Sequence, residues 1–283
     1  MTTKNTISAE WLRDHLGDND LVIADCRFEL GNPDKGFEAY TKEHIAGAVY
    51  MDLEQDLSAP IATHGGRHPL PSSERLITVF SKAGIDSSKM LVCYDDQGGA
   101  MASRLWWMLK YAGHDHAVIL EEGFSAWKTR GFPTSNEKPN PEMAQFVPKI
   151  QPNMLATMEE VKQKITDDDV LLIDSRSAER YSGDKEPVDP VAGHIPRAVN
   201  EDWQNRLANG GKWKSKQDQA EDLNKYVKAD KELIVYCGSG VTACANVLAF
   251  DEVGLKPKLY AGSWSDWITY ENNPIHTGNG KKV

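Results

Sequence analysis

The sequence lacks the marks of membrane-spanning and nucleic-acid-binding proteins. None of its apolar runs approaches the ~18 residues of a spanning helix, and its first residues, Met1 to Thr6, show no apolar segment of a signal peptide. Acidic residues outnumber basic ones, 42 to 32, and the formal net charge is −10. Nucleic acids and anionic membranes need a basic surface. We therefore predict a cytoplasmic protein with neither as a partner.

Cysteine is also scarce, with four residues in a chain of 283 and no closely spaced pair. The absence of Cys-x-x-Cys and His-x-x-x-His patterns argues against a zinc site. Four cysteines without close pairing in a chain of this length indicate free thiols in a reducing compartment. The length itself allows one large domain or two ordinary ones.

The chain repeats four short blocks in the same order, and this predicts a duplicated domain. The pairs are Asp25-Cys26-Arg27 with Asp174-Ser175-Arg176, Glu43-His44-Ile45 with Gly193-His194-Ile195, Val92-Cys93-Tyr94-Asp95 with Ile234-Val235-Tyr236-Cys237, and Gly123–Trp127 with Ser263–Trp267. Prolines crowd the stretch from Pro133 to Pro152, which indicates an extended connection. We predict domains at residues 1–136 and 153–283, joined by a linker at 137–152.

Each half alternates short apolar runs with helical patterns, which predicts a parallel sheet covered by helices on both faces. The runs Leu21–Ala24, Met90–Tyr94 and Ala117–Leu120 have counterparts at Val170–Ile173, Leu233–Tyr236 and Lys258–Tyr260. In such folds ligands bind at the carboxyl ends of the strands.

Cys237 stands at such a strand end, where a glycine-containing loop leads into a helical stretch. The loop reads Cys237-Gly238-Ser239-Gly240-Val241-Thr242. Backbone N–H groups and the positive end of the helix dipole would stabilise a thiolate there. We therefore predict that Cys237 is a nucleophile in an anion-binding loop.

The repeat, the Asp-x-Arg and His-Ile blocks and the strand–Cys–loop–helix unit together resemble the two-domain rhodanese-type sulfurtransferases. The loop is similar to that of their 3-mercaptopyruvate branch. The resemblance implies an α/β protein of two tandem rhodanese-like domains, the first catalytically silent because Asp95 takes the cysteine position. It further implies that a Cys237 persulfide passes sulfur to a thiol such as thioredoxin or a small thiol, or to cyanide, without a metal or organic cofactor.

The resemblance also assigns roles to individual residues. Arg180 matches the carboxylate-binding arginine, and Gly238, Gly240, Val241 and Thr242 complete the loop around the donor, with Arg67 adding positive charge. A proton relay would run from Ser239 to His68 and to Glu54, with Asp52 as the fallback carboxylate, and a shuttling histidine would have its pKa near neutrality. A second arginine is usual before the Gly-His-Ile-Pro block, but residues 186–190 contain no basic residue.

Several other polar residues are interpreted as structural. Arg176 would pair with a carboxylate, and repetition in both halves makes folding the better explanation of the His44/His194 and Trp127/Trp267 pairs. Cys26 and Cys93 would be buried thiols. Cys244 would be a core residue, with a thiol that resolves Cys237 as the alternative.

Three competing functions are weighed. A cysteine phosphatase is disfavoured because Ala243 stands where the phosphate-binding arginine of a Cys-x5-Arg loop is needed. Thiosulfate remains an alternative donor because the second arginine is missing. A non-catalytic persulfide carrier or regulatory module remains a third reading, which turnover with a small sulfur donor would test.

Overall fold

The computed structural model describes residues 5–280 and contains two five-stranded parallel sheets with the same strand order. The N-terminal residues 1–4, on which the signal-peptide prediction partly rests, lie outside this range. The strands are β1 Thr6–Ile7, β2 Leu21–Asp25, β3 His44–Ile45, β4 Val49–Tyr50, β5 Met90–Tyr94, β6 Ala117–Leu120, β7 Thr134–Ser135, β8 Leu155–Ala156, β9 Val170–Asp174, β10 Val199–Asn200, β11 Glu232–Tyr236 and β12 Lys258–Tyr260. The first sheet has the order β1-β6-β5-β2-β4 and the second β8-β12-β11-β9-β10.

Helices cover these sheets, and the described part of the chain has ten α-helices and two 3-10 helices. The central strands are continuous apolar runs because helices bury them from both sides. Among residues 5–280, no helix combines the length and the apolarity needed to cross a membrane. The α-helices are α1 Ala9–Asp14, α2 Asp34–Lys42, α3 Ser73–Lys82, α4 Ala102–Tyr111, α5 Phe124–Thr129, α6 Met158–Lys164, α7 Ala178–Ser182, α8 Lys216–Ala229, α9 Ala243–Glu252 and α10 Ser263–Trp267; the 3-10 helices are Pro152–Met154 and Trp203–Arg206.

The repeated blocks make the same contacts in both domains. Arg27 binds Asp25 through two nitrogens and donates to a main-chain carbonyl at 2.7 Å, and Arg176 repeats this arrangement with Asp174 and a carbonyl at 2.6 Å. The structural interpretation of Arg176 is therefore correct. These buried ion pairs fix the chain after β2 and after β9.

The repeated histidines and tryptophans are also core residues. His44 stacks on Tyr40 and His194 on Tyr181, and each imidazole Nδ1 lies 2.7 Å from the carbonyl oxygen of that tyrosine. The indoles of Trp127 and Trp267 are fully buried, and each donates to a proline carbonyl at 3.0 Å.

One hydrophobic cluster continues from the first domain into the second. Helix α4 packs against α9, and every residue of α9 from Ala243 to Phe250 is buried. A helix that is buried on all sides belongs in a core. The position of α9 is therefore fixed by packing against both domains. The amino end of α9 follows the Cys237 loop, and the domain interface therefore passes beside that loop.

The segment between the domains has no helix or strand from residue 136 to residue 151. It is nonetheless packed on the first domain. Phe146 is buried, its N–H donates to Ser81 Oγ at 3.1 Å, and Lys149 N donates to Ala112 O at 2.7 Å.

Candidate active site

Cys237 lies directly after β11, at the carboxyl end of the central strand of the second sheet. Cys237 is buried, with 2% of its surface exposed to solvent. The Cys237 N–H donates to Ser263 Oγ at 3.1 Å, and its carbonyl accepts from Trp264 N at 3.0 Å. The first two residues of α10 thus hold the main chain on both sides of the thiol.

The loop surrounds the sulfur with hydrogen-bond donors. Burial raises the pKa of the Cys237 thiol, but the Thr242 hydroxyl and the N–H groups of Ser239, Ala243 and Gly240 outweigh it, so the pKa falls below its usual value. These donors belong to the loop and to the first residue of α9, where peptide N–H groups have no partner within the helix. The site therefore favours a thiolate, the reactive form of cysteine.

Gly240 is required by the backbone of this loop. Its φ is +73°, and a β-carbon at this position would lie 2.1 Å from the carbonyl oxygen of Ala261. Glycine alone adopts such a conformation readily and leaves room for that carbonyl. The following residues differ in their placement: Val241 is buried in the hydrophobic cluster, whereas Thr242 is half-buried beside the sulfur.

Ser239 meets His68 across the domain boundary. The Ser239 Oγ lies 2.8 Å from His68 Nδ1, and both residues are buried. Burial, together with the positive charges of Arg104 and Arg67, lowers the pKa of His68 to about 3. The expectation of a histidine with a near-neutral pKa is therefore wrong, because the buried ring stays neutral and can pass a proton only between its neutral forms.

Glu54 is not part of this pair. Its side chain is exposed, and its main-chain N–H donates to Asp52 Oδ1 at 2.8 Å. Asp52 uses the same oxygen to bind Gln55 N. Among the described residues, no hydrogen bond or ion pair joins His68 to Glu54 or Asp52. The structure brings together two of the three predicted relay residues.

Arg104 is a site residue that the sequence interpretation missed. It extends from α4 of the first domain, is fully buried, and donates to Gly240 O at 3.0 Å, His68 O at 3.1 Å and Leu57 O at 3.3 Å. One guanidinium thus holds the Cys237 loop and the main chain of His68. A signal was present, since Arg104 is the one charged residue in the mostly apolar run Ala102–Leu109.

Arg67 and Arg180 lie beside the start of the loop. A β-carbon on Gly238 would be 3.0 Å from Arg67 Nη2 and 3.3 Å from Arg180 Nη2. Arg67 comes from the first domain, so the second arginine at this site is supplied across the cleft. Asp189 accepts from both guanidinium groups, at 2.9 Å from Arg180. Glu186 forms two further hydrogen bonds with Arg180 Nε, each 3.0 Å.

The first domain contains the same kind of loop with a carboxylate in it. Asp95 follows β5 as Cys237 follows β11. Its oxygens accept four main-chain N–H groups, from Gln97, Gly99, Met101 and Ala102, at 2.7–2.9 Å. A carboxyl group cannot form a persulfide, so this loop directs its N–H groups at a side chain that cannot carry sulfur.

The other cysteines are buried and have high pKa values. Burial raises the pKa of Cys26 and Cys93 above the usual range, and raises that of Cys244 to about 12. The Cys244 thiol donates to Gly240 O at 3.3 Å. All three are therefore protonated at neutral pH, and Cys237 is the cysteine whose surroundings favour the thiolate.

Comparison with known proteins supports the two-domain arrangement. A family model described as "Rhodanese-like domain" matches residues 8–130 and again residues 157–270. The chain is 36% identical over 284 residues to a Pseudomonas aeruginosa protein named "Probable 3-mercaptopyruvate sulfurtransferase", covering 99% of this chain and 100% of that protein. It is 35% identical over 259 residues, 90% of each chain, to a Mycobacterium tuberculosis protein provisionally named a thiosulfate sulfurtransferase. Among solved structures, the 3-mercaptopyruvate sulfurtransferase from Leishmania major superposes with a TM-score of 0.83 at 30% identity, over 96% of this chain and 76% of that one.

Proposed function

The chain belongs to the rhodanese-like family, and we propose that it is a sulfurtransferase that takes the sulfur of 3-mercaptopyruvate as a persulfide on Cys237. The observation that carries this proposal is the Cys237 thiol, which burial alone would keep protonated but which four loop donors stabilise as a thiolate. Ser239 and His68 stand next to it, 2.8 Å apart. A buried, stabilised thiolate is suited to attack a small electrophilic sulfur.

The first half-reaction balances without an external oxidant or acid. The Cys237 thiolate attacks the donor sulfur, an S–S bond forms, and the C–S bond breaks with its electron pair going to the enolate of pyruvate. The proton of the donor thiol then has to reach the enolate carbon. Ser239 and neutral His68 can move it, because each group both donates and accepts a hydrogen bond.

The second half-reaction returns the enzyme to its starting state. The thiolate of an acceptor attacks the outer sulfur, the S–S bond to Cys237 breaks, and the loop again stabilises the departing thiolate. We propose thioredoxin or a small thiol as this acceptor, or cyanide, in the reducing cytoplasm. The loop N–H groups serve both steps, since each step places negative charge on a sulfur inside the loop.

Thiosulfate is the second candidate donor. Two guanidinium groups beside Gly238 offer several N–H donors to a sulfonate group. Its leaving group, sulfite, needs no proton, so the Ser239–His68 pair would have no part in that reaction.

The test is turnover with each donor and one common thiol acceptor. We expect Cys237→Ser to lose activity by about 10³-fold or more, because the hydroxyl is a far weaker nucleophile. Cys244→Ser is the matched control, since this buried cysteine follows seven residues later and is protonated, and we expect it to keep most of the activity. Turnover by the Cys237→Ser variant would contradict the proposal, and absence of turnover in the unmodified protein would favour a carrier or regulatory module.

A further inference from the structure

We propose that Asp189 sets the donor specificity of this site by neutralising its arginines, so that a singly charged donor is preferred over a doubly charged one. The inference rests on the proposed sulfur transfer. It concerns the segment in which the sequence has carboxylates where a second arginine was expected, Glu186-Pro187-Val188-Asp189-Pro190.

Asp189 bridges the two arginines of the cleft. One carboxylate oxygen accepts from Arg67 of the first domain, and the other accepts from Arg180 at 2.9 Å. The Asp189 side chain is 2% exposed, whereas those of Arg67 and Arg180 are 26% and 20% exposed. The carboxylate thus lies beneath the guanidinium groups, and the arginines face the open side of the cleft.

The surrounding charges balance. The pairs run in a continuous series from Asp174 through Arg176, Glu186 and Arg180 to Asp189 and Arg67. Three guanidinium groups therefore meet three carboxylates beside the Cys237 loop, and this series carries no net charge. The further cation of the site, Arg104, is fully buried and interacts with Cys237. Arg67 and Arg180 thus offer N–H donors to an anion while their positive charges are balanced by carboxylates.

Guanidinium nitrogens of both arginines lie beside Gly238, the residue that follows Cys237. Arg67 Nη2 would be 3.0 Å, and Arg180 Nη1 3.4 Å, from a β-carbon on Gly238. Among residues 5–280, the buried Nε of Arg67 has no hydrogen-bond partner. A carboxylate or sulfonate bound here would accept from the groups that Asp189 leaves unused.

Donor charge should then decide the preference. Mercaptopyruvate with a protonated thiol is a monoanion, whereas thiosulfate is a dianion. In a neutral, partly buried cleft the second negative charge is not compensated, and Asp189 repels it directly. Asp189 therefore disfavours thiosulfate while it keeps both arginines in place for a carboxylate.

The experiment measures kcat/KM for thiosulfate and for mercaptopyruvate with one acceptor, and uses the ratio of the two. We expect Asp189→Asn to raise the thiosulfate-to-mercaptopyruvate ratio by about 10-fold, because one negative charge is removed and the side-chain shape is kept. Arg67→Gln removes the opposite charge and is expected to lower the same ratio. The two variants together exclude a simple loss of folding. Unfolding would lower kcat/KM for both donors, but it would not shift the thiosulfate-to-mercaptopyruvate ratio in opposite directions in the two variants.

The matched control is Asp168→Asn, which breaks an aspartate–arginine pair with Arg197 on the surface, where the side chains are 87% and 46% exposed. The ratio should stay at the wild-type value there. An active wild-type protein whose ratio is unmoved by Asp189→Asn, or moved equally by Asp168→Asn, would overturn the inference. A wild-type protein inactive with both donors would instead overturn the proposed function.

Discussion

At the scale of single residues, Cys237 and Asp95 show how one loop type buries an anion. Each lies at the end of a central strand, and each receives N–H groups from the residues that follow. For Asp95 the effect of burial outweighs the hydrogen bonds and the pKa rises; for Cys237 the donors outweigh burial and the pKa falls. The loop therefore offers N–H donors to a buried acidic group in both domains, but its balance with burial favours the charged form at Cys237 and disfavours it at Asp95.

In the proposed reaction, the role of His68 depends on the leaving group. The pKa of about 3 keeps its ring neutral throughout the physiological range, so wild-type activity should show no inflection near pH 6.5 from this residue. We expect His68→Gln to lower kcat with mercaptopyruvate by about 10²-fold, because the enolate then lacks its proton path. With thiosulfate the change should stay within about 3-fold, since sulfite takes up no proton.

His64 provides the matched control for this prediction. It lies in the same loop, and its Nδ1 is 2.7 Å from the Thr269 hydroxyl of the second domain, but it is exposed. His64→Gln should leave both rates close to wild type. Equal losses with the two donors in His68→Gln would assign His68 to loop structure rather than to proton transfer.

At the scale of elements, the first-domain loop from His64 to His68 builds the cleft. Its main chain is tied to the second domain, with Gly65 N donating to Asp266 Oδ1 at 2.7 Å and Arg67 N to Ser265 Oγ at 3.1 Å. Those partners belong to α10, which also binds the carbonyls of Cys237 and Gly238 through its N–H groups. Helix α10 therefore fixes both the Cys237 loop and the first-domain loop that brings His68 to it.

The Cys237 loop depends on Gly240. We expect Gly240→Ala to lower the free energy of unfolding by about 3 kcal/mol or more, since a β-carbon would be 2.1 Å from Ala261 O in addition to the cost of its positive φ. Gly210→Ala is the control, with φ +85° and open space around it, and should cost about 1 kcal/mol. Urea unfolding measures both, and equal losses would show that the contact with Ala261 is relieved at little cost.

The central elements could be predicted because their signals are local. The predicted runs Leu21–Ala24, Met90–Tyr94 and Leu233–Tyr236 are apolar along their whole length, and they lie in β2, β5 and β11. The edge strands β1, β4, β8 and β10 contain two residues each, too few for a periodic pattern. The repeat predicted two like domains, and the identical strand order confirms this.

At the scale of the whole molecule, the site exists only where the domains meet. The second domain supplies Cys237 and Ser239, and the first supplies His68, Arg67 and Arg104. Sequence reasoning could assign Cys237 from its loop alone. It could not assign Asp189 or Arg104, because their roles come from contacts with residues more than 100 positions away, such as Arg67 and Gly240.

Arg104 connects the two halves of the Ser239–His68 pair. Its fork reaches the carbonyls of Gly240 and His68 at once, which one ammonium group cannot reproduce. We expect Arg104→Lys to lower kcat with mercaptopyruvate by about 10-fold. KM should stay close to wild type, because Arg67 and Arg180, the arginines proposed to bind the sulfur donor, are unchanged. Arg75→Lys is the control, since Arg75 also donates to a carbonyl, that of Gln55, but on the surface.

A double-mutant cycle separates positioning from general damage. If Arg104 acts by aligning His68 with Ser239, then Arg104→Lys should have little further effect on kcat in a His68→Gln background. Losses that multiply in the double variant would show instead that Arg104 acts independently of His68. The cycle needs kcat for four proteins, each with an unfolding curve to show that the fold is intact. If the double variant loses less kcat than the product of the two single losses, the contact of Arg104 across the domain interface aligns the proton path.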